Sequence, residues 1–349
     1  MNDYFCVLPF FSFEISHKLK KNIYCCRLSQ KTDITRVQEA ILRQERSPDC
    51  AACWRLEDQG LQSERQIHNS TFDHYAGRDI EEVEQSVRQG NYGPQIIKIA
   101  TSNLCNGTCV TCGSTSSSAW AALEGKPIQY EILPETKTDH IDWSKIVQLS
   151  FVGGEPLLEK RNFKILQRLI DLGNTNCFIS LVTNGSCELT PAQFDILSKF
   201  ANLNICLSID GTESVFEYTR YPLDWSKLLY NLEKFKSITS NLSVSCMISN
   251  LNIYHYDNII DFFKQENLNY MCKQIEYPEI YAPGNLPAEF KQQVLANNPK
   301  YADEVESFLN YGTYSNELFK SFCEELARQD QLKGIALEQY LPELAQVKI

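Results

Sequence analysis

The sequence predicts an α/β protein built on a parallel sheet, and two observations carry that prediction. Between about residue 94 and residue 275, five short β-branched runs each lead into an amphipathic helical pattern. The polar, Gly-bearing stretches of this segment fall just after the strand runs, at the carboxyl edge where α/β folds place ligands. Parallel neighbours need crossover connections, and alternating strand and helix supplies them. A doubly wound open sheet is the alternative arrangement of the same units.

The units follow in order. "QIIKIAT" leads into a cysteine loop and then "SSSAWAAL", a helix opened by Ser or Thr caps. "IVQLSFV" leads into "GGEP" and the helical "NFKILQRLIDLG", which stops at Gly173. "CFISLVTNG" precedes "PAQFDILSKF", with Pro191 at a helix start. "NLNICLSIDG" precedes "DWSKLLYNLEKFKSI", and "LSVSCMIS" precedes "NIIDFFKQ". Residues 1–93 read differently, as aromatic strands followed by the helix "TDITRVQEAILRQE" and a Cys-x2-Cys turn opening a charged helix. Beyond residue 285 the period is helical, and we read that tail as structural. The expected domains are therefore 1–93, 94–284 and 285–349.

Composition narrows the function classes. The chain of 349 residues is 43% hydrophobic with a formal charge of -11 and no basic block, which disfavours a nucleic-acid partner. "YFCVLPFFSFEI" is broken by Pro9 and Glu14 and lacks a basic flank before it, so it does not read as a signal peptide. No run reaches the roughly 18 apolar residues of a membrane span. The expectation is a soluble, cytoplasmic protein whose 14 cysteines are reduced.

Cys105, Cys109 and Cys112 stand at gaps of three and two residues in "LCNGTCVTCG", with no fourth ligand in the loop. Soft thiolates suit zinc or an iron–sulfur cluster. Structural zinc wants four ligands in two close pairs, and the other pair, Cys50 and Cys53, lies more than fifty residues upstream. A cubane bound by three protein thiolates leaves one iron for an outside ligand.

"CNGTCVTC" resembles the Cys-x3-Cys-x2-Cys signature of radical S-adenosylmethionine (SAM) enzymes, and three further loops resemble the family's in its order. Gly153, Gly154, Glu155 and Pro156 are similar to the turn whose backbone meets the SAM amino group. Thr183, Asn184 and Gly185, then Ser208 to Gly211 with Asp210, resemble the next two strand ends, the latter contacting ribose or carboxylate. Arg220, in "EYTRYP", is placed like an arginine that faces the SAM carboxylate. The resemblance implies a partial (β/α)6 barrel. It also implies one-electron reductive cleavage of SAM on a [4Fe–4S] cluster, giving a 5′-deoxyadenosyl radical that abstracts hydrogen from a substrate carbon.

The amino-terminal part resembles radical SAM proteins that carry a twitch domain, a shortened SPASM domain. This implies an auxiliary [4Fe–4S] cluster on Cys6, Cys50, Cys53 and one of the adjacent Cys25 and Cys26, of which we favour Cys25. Adjacent strand residues face opposite ways, so one of the two ligates. By the same resemblance the substrate is a peptide or protein, and the electron donor is a flavodoxin or ferredoxin. Two alternatives are a radical dehydrogenase or epimerase of a small molecule, and a non-catalytic iron–sulfur or zinc protein.

The remaining thiols read as packing. Cys177, Cys206 and Cys246 lie in apolar strand patterns and Cys323 in a helix. Cys246 and Cys272 are the two that could face a cavity and return hydrogen to a substrate radical. No histidine shows ligand spacing, and His68 and His74 are expected at the surface. The serines at 116 to 118 are expected to cap a helix beside the cluster, with Trp120 as its shield.

Overall fold

The computed structural model describes residues 4–16, 24–25, 27–29, 31–127, 138–139, 141–312 and 314–347. Seven strands lie in one sheet in the order of the sequence: β1 (Ser12–Ser16), β2 (Ile96–Ala100), β3 (Gln148–Phe151), β4 (Phe178–Thr183), β5 (Asn202–Ser208), β6 (Leu242–Ile248) and β7 (Asn269–Gln274). The order never reverses, so the sheet has no topological switch point and the doubly wound alternative is excluded. Among the described residues β7 does not pair with β1, and the sheet is open. β1 comes from the segment read as amino-terminal domain, and β7 follows the five strands legible from the sequence.

The chain divides into two compact units. The first comprises Met1–Ser102, Glu131–Leu181 and Leu189–Asn204, and the second Asn103–Tyr130, Val182–Glu188 and Ile205–Ile349. In the first, β1, β2 and β3 pair in parallel, and β3 pairs with β4. Register sets Phe13, Ile97, Leu149 and Ile179 in one buried apolar row. The opposite face carries Glu14, Lys98, Ser150 and Ser180, with Lys98 Nζ 3.3 Å from Glu14.

The second unit repeats this division. Ile205 and Leu207 face Leu242 and Val244 on the apolar side, while Cys206 and Ser208 face Ser243 and Ser245 on the polar side. A parallel sheet covered by helices on both faces is apolar on both. Here one face is apolar and buried, and the other mixes polar residues with buried ones such as Ile96 and Ala100.

The helices owe their positions to caps and apolar spacing. Asp224 accepts from Lys227 N and opens the helix Trp225–Lys236, which buries Leu228, Leu232 and Phe235. Each such side chain contributes about 1.5–3 kcal/mol on full burial. The tail is helical as its period predicts. Its longest helix, Asn316–Lys333, is capped by Ser315 and ends at Gly334 in the left-handed conformation, φ +68°. No described helix is long and apolar enough to cross a membrane.

Candidate functional site

The loop after β2 is held from several sides within the second unit. Thr108 N and Val110 N donate to the carbonyls of Tyr221 and Thr219, at 2.6 and 2.8 Å. Ser117 accepts from Trp120 N as the cap of the helix Ser118–Leu123 and donates to Gly107 O at 2.7 Å. Ser118 Oγ accepts from Cys105 N and donates to Cys105 O, both at 3.1 Å. The fully buried Trp120 donates its Nε1 to Cys109 O at 2.9 Å. The serines thus cap the helix and clamp the cysteine loop at once.

Two sulfurs converge on Gly107. A Cβ there would lie 3.4 Å from Cys109 Sγ and 3.9 Å from Cys105 Sγ. Gly107 N donates to Cys105 Sγ at 3.4 Å. Cys112 is exposed, and its amide closes a turn onto Cys109 O at 3.0 Å. Cys109 is partly exposed as a residue, yet its thiol is enclosed enough that burial pushes it up to about 12. Arg220 opposes that shift, while Cys112, Cys105 and Asp210 reinforce it.

Strand ends meet this loop. Asn184 Nδ2 donates to Asn106 Oδ1 at 2.9 Å, and Asn106 Nδ2 donates to Ser186 Oγ at 2.8 Å. Ser186 N in turn donates to Asn184 Oδ1 at 2.9 Å, so the loop after β4 is clasped to the cysteine loop. Ser208 ends β5 opposite Ser245 and is half-buried. Arg220 and Asp210 form an ion pair of 2.7 Å with both side chains about one-tenth exposed. Asp210 Oδ1 also accepts from Met247 N at 2.8 Å. Among the described residues, Arg220 Nε and Asn103 Oδ1 are buried without a hydrogen-bond partner.

Sequence reasoning missed the contribution of the tail. Gln329 is buried and donates Nε2 to Val110 O at 3.0 Å, and Lys333 Nζ donates to Gln329 Oε1 at 3.0 Å. Lys333 Nζ also lies 4.9 Å from the Trp120 ring and 6.0 Å from the Tyr221 ring. Burial pulls its ammonium down to about 8, against an upward pull from Cys109. Polar residues in a helical tail carry no local signal of burial. Asn106 could have been found, because it lies between two of the three cysteines.

In the first unit the GGEP turn is locked to the end of β2. Gly153 has φ +118°, and a Cβ on it would lie 2.8 Å from Ser102 O. Gly154 N donates to the same carbonyl at 3.3 Å, and Ser102 Oγ donates to Glu159 at 2.7 Å. Glu155 is buried and accepts from Leu157 N at 3.0 Å, while Pro156 O accepts from Asn162 Nδ2 at 2.9 Å.

The first unit also gathers the four other cysteines that the resemblance singles out. Cys6, Cys25, Cys50 and Cys53 line one small cavity with Trp54 and Arg65. Burial pushes the Cys6 thiol up to about 12 and the Cys50 thiol to about 11. Arg65 donates to Phe5 O at 2.9 Å, pairs with Glu57 at 2.6 Å and lies over the Trp54 ring at 4.9 Å. Cys26 lies outside the described residues. Among the described residues no three His, Cys, Asp or Glu side chains are arranged to hold a single metal ion. Thiols that each bind a different iron of a cubane stand farther apart than the ligands of one ion.

Two expectations are revised, those for Cys206 and His68, while Cys246 packs as expected. Cys246 shares the apolar face of β6 with Val244 and Ile248, opposite Cys272, whose thiol meets Tyr256. Cys206 takes the polar face instead, half-buried and hydrogen-bonded to Ser243. His74 is exposed, but His68 is half-buried.

Residues 99–263 match the family described as the radical SAM superfamily. Among solved structures, anSMEcpe with bound AdoMet is 22% identical, over 63% of this chain and 62% of that chain, with a TM-score of 0.44. SuiB of Streptococcus suis bound to the precursor peptide SuiA is 13% identical, over 89% of this chain and 73% of that one, with a TM-score of 0.44. This chain thus spans 62% of the length of anSMEcpe. No curated protein matches the sequence. The three-cysteine loop lies inside the matched segment, so residues 99–263 carry the radical SAM domain of this chain.

Proposed function

We propose that the protein is a radical SAM enzyme that modifies a carbon of a peptide or protein. Cys105, Cys109 and Cys112 would hold a [4Fe–4S] cluster with SAM on its open iron. When bound and reduced by one electron, that pair supplies cleavage of SAM to methionine and a hydrogen-abstracting 5′-deoxyadenosyl radical. The observation that carries the reading is Arg220. Its guanidinium is fixed by Asp210, is felt by the Cys109 thiol, and keeps a buried Nε without a partner among the described residues. A carboxylate is the natural acceptor for such a donor.

The chain's own residues have defined tasks in this reading. Arg220 orients the SAM carboxylate, and Asp210 fixes Arg220 and the strand end. The backbone of Gly153, Gly154, Glu155 and Pro156 receives the amino group, while Asn184 and Ser208 border the nucleoside. Trp120 and the serine clamp shield the loop. Cys6, Cys25, Cys50 and Cys53 would hold an auxiliary [4Fe–4S] cluster, which their shared cavity supports. Segments 1–93, 94–284 and 285–349 would act as auxiliary domain, barrel and helical extension. The net charge of -11 suits a basic peptide, and a flavodoxin or ferredoxin would deliver the electron.

Anaerobic reconstitution tests the reading. Two clusters require about eight irons per chain. The C105A/C109A/C112A variant should lose 5′-deoxyadenosine formation and about half the iron, and C50A/C53A about half the iron alone. Formation of 5′-deoxyadenosine by the triple variant overturns the site. A peptide substrate is tested by mass change in basic peptides that tracks 5′-deoxyadenosine.

A further inference from the structure

Lys333 is a cation buried without an anionic partner. It is 8% exposed, on the last turn of the helix Asn316–Lys333, where its hydrogen bond goes to the neutral Gln329. It forms no ion pair among the described residues, although Asp330 and Glu325 lie on the same helix. Asp330 instead accepts from Tyr218 at 2.9 Å, and Glu325 pairs with Arg328 at 2.7 Å. A buried charge of this kind is costly unless something negative compensates it.

Three side chains beside the ammonium, Gln329, Trp120 and Tyr221, lead to the cysteine loop. Gln329 is bonded to Val110 O, the Trp120 indole to Cys109 O, and Tyr221 O to Thr108. Lys333 is therefore enclosed by three side chains whose residues each anchor a different position of the segment 108–110. Of the three thiols of that loop, Cys109 acts on the ammonium electrostatically, ahead of Asp330 and Glu325.

The geometry points to Lys333 as the fixed counter-charge of the cluster on Cys105, Cys109 and Cys112, a positioning residue of the tail that raises the cluster's reduction potential. The inference rests on the cluster reading above. Reduction adds one electron to a centre already ligated by three thiolates. A nearby ammonium in a low-dielectric pocket stabilises the reduced state more than the oxidised one. The cluster then accepts its electron from a weaker donor.

The test is a potentiometric titration of the anaerobically reconstituted full chain, following the EPR signal of the reduced cluster that responds to added SAM. K333M should move its midpoint to more negative potential with iron content unchanged, and K333R should stay near the wild type. Q329E places a carboxylate against Lys333 without removing it, and should shift the midpoint the same way if K333M does not fold. Equal midpoints in wild type and in whichever neutralised variant loads iron overturn the role of Lys333 and leave the cluster reading intact. If the wild type shows no signal that depends on Cys105, Cys109 and Cys112, the cluster reading fails and this role with it. Loss of iron in both K333M and Q329E, but not in K333R, overturns the tuning role in favour of assembly.

Discussion

Arg220 gives its Nη2 to Asp210 at 2.7 Å, and its Nε is buried and unpaired among the described residues. A guanidinium used half internally and half not is organised before any ligand arrives. Its fork presents a fixed donor that a flexible ammonium cannot copy. Asp210 in turn is tied to Met247 N at 2.8 Å, so the pair is braced from β6.

It follows that Arg220 should matter more for SAM than its charge alone. R220A is expected to weaken SAM binding to the reconstituted protein about ten- to a hundredfold, the equivalent of about 1.5–3 kcal/mol for a charge-assisted hydrogen bond. R220K should recover little of this, because lysine has no Nε donor in the same plane. Equilibrium dialysis with labelled SAM reads both, and wild-type affinity in R220K would rule the assignment out.

The strand–helix series and the thiol spacing were legible because both are local periods. Other features were legible and not read. Cys206 shares its strand parity with the polar Asn204 and Ser208, and Cys246 shares its parity with Leu242, Val244 and Ile248. Period two alone therefore sends the first thiol to the polar face and the second to the apolar one. β7 was harder, since "NYMCKQ" is largely exposed and lacks a buried alternation. Gln329 and Lys333 were out of reach. Their burial comes from contacts more than two hundred residues away in sequence, to Val110 and Trp120, and no window along the tail contains that information.

The GGEP turn makes a sharper claim about backbone. Gly153 combines φ +118° with a Cβ position 2.8 Å from Ser102 O, and a backbone carbonyl cannot yield as a side-chain tip would. G153A should destabilise the cluster-free protein by about 1–3 kcal/mol from backbone strain, and by more if Ser102 cannot shift. Urea denaturation reads this as a lowered midpoint at constant slope. An unchanged midpoint would mean that the turn relaxes freely and does not define a rigid cradle.

Cys177 offers a pH test independent of any cofactor. The residue is 3% exposed, its Sγ donates to Asn174 O at 3.2 Å, and burial pushes the thiol up to about 12. In the unfolded chain a thiol titrates near about 8.5. The folded state therefore holds this proton more tightly, and the resulting stability is complete below about pH 8.5 and is lost as pH rises toward the folded value. Across that window one such thiol costs about 1.4 kcal/mol per pH unit. C177A removes the titrating group, so its stability should fall less steeply than the wild type's between pH 9 and 11. Other buried thiols and tyrosines contribute equally to both proteins and cancel in the difference. Parallel stability curves for the two proteins would show that Cys177 reaches solvent in the native state, contrary to its burial.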